Sequence, residues 1–245
     1  MEAVALPRRR SLGRVALVLL GTIVTVGLIG IVAFMLLATA AQHSFTTTAR
    51  YTNVHALVVH SGAGGVTLTQ APSGGPLVVR AHETESLFSP KVSQRLAGGG
   101  TLTLTASCPG KLHCSVDYTV AVPQDVAVTV GSGFGAIRAT DLSSTTSIQL
   151  GTTAGGIHAT GLIAPDIRLT TGLGDLTATL AQPARRVRAS TVAGALRLTV
   201  PNTSYAVHVS SGVGHVSDQG VRVDPRSPRT VDATSSLGDV TITSR

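Results

Sequence analysis

Beyond residue 50 this chain alternates apolar and polar side chains, and single glycines interrupt the alternation at regular intervals. Residues 130–142 read VGSGFGAIRATDL and follow an alternating VAVTV run. The glycines resemble a dinucleotide fingerprint, but that motif needs a helix whose N-terminus faces the pyrophosphate. After Gly135 the apolar residues recur at every second position, as Ile137 and Ala139, which predicts a second strand. Gly131, Gly133 and Gly135 are therefore expected to shape a corner between two strands.

The same unit recurs. Anchored on Gly64, Gly135, Gly155, Gly174, Gly194, Gly214 and Gly238, it repeats from Gly135 to Gly214 at spacings of 20, 19, 20 and 20 residues. Two positions after each anchor stand Val66, Ile137, Ile157, Leu176, Leu196, Val216 and Val240. Seven before stand Leu57, Val128, Ile148, Ile167, Val187, Val207 and Val231, and five before Val59, Val130, Leu150, Leu169, Ala189, Val209 and Ala233. These are predicted to point inward. A fixed period with fixed apolar positions signals stacked units, each burying its neighbour's apolar face. The expectation is an all-β repeat fold, a β-solenoid resembling a parallel β-helix, in which successive units stack as parallel coils. A meander of hairpins would not need one register in every unit.

Composition agrees with thin layers of small β-branched side chains, since aromatics make up 3% of the chain and Trp is absent. The net charge of +7 is partly local. Arg8, Arg9, Arg10 and Arg14, offset by Glu2, precede a run of 27 residues, 15–41, that contains no ionisable group. Such a run is long enough to cross a bilayer as a helix, and the arginines before it predict a cytoplasmic N-terminus. The expected organisation is a short basic tail at 1–14, a single transmembrane helix at 15–41 and an extracytoplasmic domain at 42–245. A cleaved signal peptide ending near Ala38-Thr39-Ala40 is the competing reading, and it exports the same domain. Export favours a disulfide between Cys108 and Cys114, which flank five residues between two alternating runs. One nearby histidine, His113, does not complete a zinc pattern.

The order of an apolar span, a long strand ending in proline (VDYTVAVP, 116–123) and serial units such as TTGLGDLTA and SSLGDVTIT resembles the bacterial putative-adhesin β-strand-repeat family over roughly residues 50–245. The resemblance implies an envelope location, a solenoid-like all-β fold and no established catalytic residues. Two features depart from the pattern. Asp218 sits four after its anchor, where other units carry Leu68, Ala139, Ala159, Ala178, Leu198 or Ile242, and residues 219–229 lengthen that unit.

Little in the chain points to catalysis. Asp141, Asp166, Asp175, Asp218, Asp232 and Asp239 are scattered singly rather than paired for general acid–base work, and no nucleophile-elbow motif is present. No cofactor or metal is expected, and scarce aromatics argue against nucleic acid. The outward positions say more. Six before the anchor stand Gln149, Arg168, Arg188 and His208, and three after it Arg138, His158, Thr177 and Arg197. Stacked coils would make these two basic ladders, a candidate face for anionic envelope polymers. The functional expectation is a membrane-anchored, adhesin-like binding or structural module. A sensor acting through a membrane partner is the alternative, and a polysaccharide-processing enzyme a more distant one.

Overall fold

The computed structural model describes residues 19–32, 43–85, 89–108 and 114–245. It divides into two units, residues 1–43 and 44–245. In the first, residues 19–32 form a helix. The rest of the expected span lies outside the described residues, and among those described no helix is long and apolar enough to cross a membrane.

The second unit is built of strands. In chain order they are β1 (His43–Tyr51), β2 (Ala56–Ala63), β3 (Val66–Gln70), β4 (Leu77–Glu85), β5 (Lys91–Leu96), β6 (Thr101–Ser107) and β7 (Ser115–Val122). There follow β8 (Ala127–Phe134), β9 (Ile137–Thr140), β10 (Ser147–Ala154), β11 (Ile157–Leu162), β12 (Asp166–Leu173), β13 (Leu176–Leu180), β14 (Arg186–Ala193) and β15 (Leu196–Val200). Last come β16 (Ser204–Val213), β17 (Val216–Gln219), β18 (Arg222–Val223), β19 (Thr230–Leu237) and β20 (Val240–Ser244). Ten form one sheet, in the order β1-β4-β7-β3-β9-β11-β13-β15-β20-β17, and ten the other, β18-β16-β19-β14-β12-β10-β8-β2-β6-β5.

Each glycine-anchored unit is one coil with a strand in each sheet. Like residues meet across coils, so that Ile148 lies beside Val128 and Ile167, and Ile157 beside Ile137 and Leu176. Apart from Val216, the aliphatic positions named above form or pack against one continuous core between the sheets. The corner explains the glycine. Gly155 has φ +151°, and a Cβ there would overlap the carbonyl oxygen of Gly135 in the adjoining coil. Both the backbone conformation and the closeness of the next coil exclude a side chain.

The structure corrects the expected stacking in three ways. First, the sheets are mixed, because β4 pairs antiparallel with β7 and β5 antiparallel with β6. Second, coils do not stack in chain order. The last coil, β19 and β20, lies between the coil of β14 and β15 and that of β16 and β17. The lengthened segment 219–229 supplies the chain that leads back inside. At the other end β2 and β3 lie between β6 and β7 on one side and β8 and β9 on the other. Third, Val216 is not enclosed, although it lies beside the buried Val240. It is 50% exposed, since no coil covers β17, and Asp218 is solvent-facing on the same strand. An acid can replace the usual aliphatic residue there because nothing stacks on it.

Candidate functional site

The six basic residues singled out from the sequence occupy two sheets. Arg138 on β9 lies beside His158 on β11, which is followed by Thr177 and Arg197 across β13 and β15. Arg168 on β12 lies between Gln149 and Arg188 in the opposite sheet. They therefore do not make one face, and a single ligand cannot run along all six. Nor does His208 follow Arg188. The inserted last coil places Asp232 between them, and Arg188 Nε reaches Asp232 Oδ2 at 3.5 Å.

The denser cluster is on the outer face of β12 and β14. Arg185 and Arg186, not singled out from the sequence, both reach Asp166, Arg186 at 3.4 Å. The pattern RRVR at 185–188 was the available signal, since it brings three arginines to the start of one strand. Together with Arg168 this makes four arginines against the two acids Asp166 and Asp232. Among the described residues Arg168 has no carboxylate within ion-pair distance, whereas Arg185, Arg186 and Arg188 each have one. Ser147, Gln149, Asp166, Arg168, Arg186 and Arg188 line a shallow cavity of about 250 Å³, so the three guanidinium groups there share it with one carboxylate. Guanidinium groups there present forked N–H donors suited to phosphate, sulfate or carboxylate oxygens.

A larger shallow cavity of about 560 Å³ opens on the same sheet, with His60, Gly131, Gly151 and Thr170 among its lining. Here the expected corner role of Gly131 is corrected. Gly135 is the corner, at φ +145°, and a Cβ on Gly133 would lie 2.6 Å from the Gly62 carbonyl oxygen. Gly131 instead sits within β8 beside Gly151, and a Cβ on it would come no closer than 3.6 Å to His60 Nδ1.

Cys108 and Cys114 are bonded to each other, with Cα atoms 5.8 Å apart. They stand at the end of β6 and the start of β7, where other coils turn through glycine. A column of hydroxyls escaped the sequence reading. Three positions before the anchors stand Ser61, Ser132, Thr152, Thr171, Thr191, Ser211 and Ser235. Thr171 Oγ1 donates to the Gly155 carbonyl at 2.9 Å, and Thr152 Oγ1 to the Gly135 carbonyl at 3.1 Å. Ser211 does the same to Gly238 at 2.8 Å. The signal was the invariance of Ser or Thr at one register position.

Acids on the corner serve the backbone. Asp175 Oδ1 accepts from the Ala195 amide and Asp239 Oδ1 from the His215 amide, each at 2.8 Å. That amide, with smaller help from the His215 ring and Arg197, holds the Asp239 carboxyl below its ordinary range. Among the described residues no group of three or more His, Cys, Asp or Glu could hold a metal.

A mixed β-sandwich of glycine-cornered coils, with a charged outer face and no assembled catalytic cluster among the described residues, defines an all-β repeat module. The chain belongs to the Toastrack DUF4097 family, whose model matches residues 115–243. Its fold is similar to that of a "putative cell adhesion protein" from Clostridium sporogenes, at TM-score 0.52 and 12% identity, covering 83% of this chain and all of that one. A "putative adhesin" from Bacteroides fragilis aligns at TM-score 0.43 and 13% identity, over 83% of this chain and 97% of that one. No curated protein matches the chain.

Proposed function

We propose that this chain is a membrane-anchored envelope protein whose β-solenoid domain binds anionic envelope polymers through the arginine cluster on β12 and β14. The observation that carries the reading is Arg168, a cation without an acidic partner among the described residues, set beside Arg188 and Arg186 in one shallow cavity. A polyanion lying across the coils would meet these guanidinium groups in turn. Each exposed contact is worth at most about 1 kcal/mol, so useful affinity has to come from several at once. The uncharged run at 15–41 behind four arginines supports the anchor, and the bonded cysteines fit an oxidising exterior. The Clostridium sporogenes neighbour named for cell adhesion is in keeping with a binding module.

The test is retention of the full chain, in detergent, on immobilised polyglycerol phosphate and on polygalacturonate. Retention should weaken as salt screens the cluster, and R168Q/R188Q should weaken it further at low salt. R138Q/R197Q, on the other sheet, should leave it unchanged. Equal retention of wild type and R168Q/R188Q would end the proposal.

A further inference from the structure

Four strands form the edges of the two sheets, and three of them are poor templates for another chain. β5 carries Lys91 and Arg95 within its six residues, β17 has four residues including Asp218, and β18 has two, one of them Arg222. Charge and shortness are the usual means of keeping edges from pairing. β1 has neither. It is nine residues long, without Pro or Gly, and Arg50 is its one Lys, Arg, Asp or Glu. Phe45, Thr46, Thr47 and Thr48, a run of high β propensity, lie in its middle, and all four are exposed. Among the described residues β1 pairs with β4 on one side and with no strand on the other. An edge of that length presents a row of N–H and C=O groups, a ready template for pairing with another strand.

We propose that this strand is β1 of a second copy of the chain, paired antiparallel across a twofold axis to make one continuous sheet through both molecules. The sequence of β1 is complementary to itself in that arrangement. A pair centred on Thr47 sets Thr46 against Thr48, Phe45 against Ala49 and Ser44 against Arg50, so threonines meet threonines and no like charges face each other. An in-register parallel pair would set Arg50 against Arg50 and could not close as a twofold dimer. The place of β1 in the chain favours the same occupant. It starts two positions after the uncharged run 15–41 ends, so if that run holds each copy in a membrane, the copies meet at raised effective concentration.

The chain has two cysteines and they are bonded to each other, so an added cysteine is a clean reporter. In the proposed register the two Thr47 side chains stand directly opposite, within about 4.5–5.5 Å at Cβ, a separation close to what a disulfide needs. The full chain carrying T47C, reconstituted in vesicles and mildly oxidised, should form a linked dimer several-fold more than T177C, which reports random collision from the outer face of β13. T46K/T48K sets Lys against Lys in the pair and should abolish the dimer. T46K/T48E sets Lys against Glu and should restore it. Circular dichroism serves to check that each variant keeps its β content. Linking of T47C no greater than that of T177C would overturn the proposal. So would a dimer that survives T46K/T48K, or a linked species containing a different protein.

Discussion

The coils anchored on Gly135 through Gly194 and the coils at the two ends of the stack share one plan but meet different demands. In the middle every coil has a neighbour on both faces, its core is aliphatic, and its corner is a glycine pressed against the next glycine's carbonyl. At one end a disulfide ties the end of β6 to the start of β7. At the other β17 exposes Val216 and Asp218. The two largest fully buried side chains, Tyr118 on β7 and Tyr205 on β16, both belong to these outer coils. A repeat propagates by one local rule, whereas its ends need separate devices because stacking cannot continue there.

The largest effect should come from breaking that rule in the middle. Gly155→Val imposes a branched side chain on φ +151° and on the Gly135 carbonyl, and should cost about 2–5 kcal/mol from backbone strain and overpacking. Gly131→Val is the control within the same region. With space around its Cβ and no positive φ, it should change stability by about 1 kcal/mol or less, in either direction. Urea unfolding midpoints at an unchanged slope would read both. Similar losses at the two positions would mean that the corner is not what constrains glycine.

The next effect concerns the disulfide end. Replacing Cys108 and Cys114 with Ser should cost about 2 kcal/mol by the loop-entropy model, and the loss should be local. Amide exchange should accelerate in β6 and β7 while β10, β12 and β14 keep their protection. Alkylation of the native chain should label neither cysteine before reduction and both after it. Uniform loss of protection through the stack would show that the ends and the middle unfold as one unit.

What could be read from the sequence follows the same division. The corner glycines and inward aliphatic columns were legible because each rests on a constraint repeated within one unit. The insertion of β19 and β20 was not, because all coils present nearly the same aliphatic surface and any one can stack on any other. Only Asp218 and the long segment 219–229 hinted that this unit differed. The cost of that ambiguity falls on the candidate site. Arg168 and Arg188 were placed side by side correctly, but the acid that meets Arg188 comes from a coil later in the chain. The hydroxyl column was visible as Ser or Thr three before every anchor, yet small polar residues on strands ordinarily need no explanation.

The smallest effect at neutral pH, and the one that isolates an outer coil, is Tyr118→Phe. Its hydroxyl is buried with no hydrogen-bond partner among the described residues, so removing it should change stability at pH 7 by about 1 kcal/mol or less. The consequence appears in alkali. Burial, with a smaller contribution from the Glu83 charge, pushes the Tyr118 phenol from 10.0 up to about 12. The folded chain thus holds the proton more tightly than the unfolded chain does. The stability this gives is fully present below pH 10.0 and is lost as pH rises through about 12, where the folded form must also release it. Phe cannot ionise, so the variant should keep its β circular dichroism to higher pH than wild type. The wild-type transition should coincide with late tyrosinate absorbance. Alkaline transitions at the same pH in both proteins would mean that Tyr118 is no harder to ionise in the fold than out of it, and that the outer coil does not close around it as the middle coils close around their aliphatic residues.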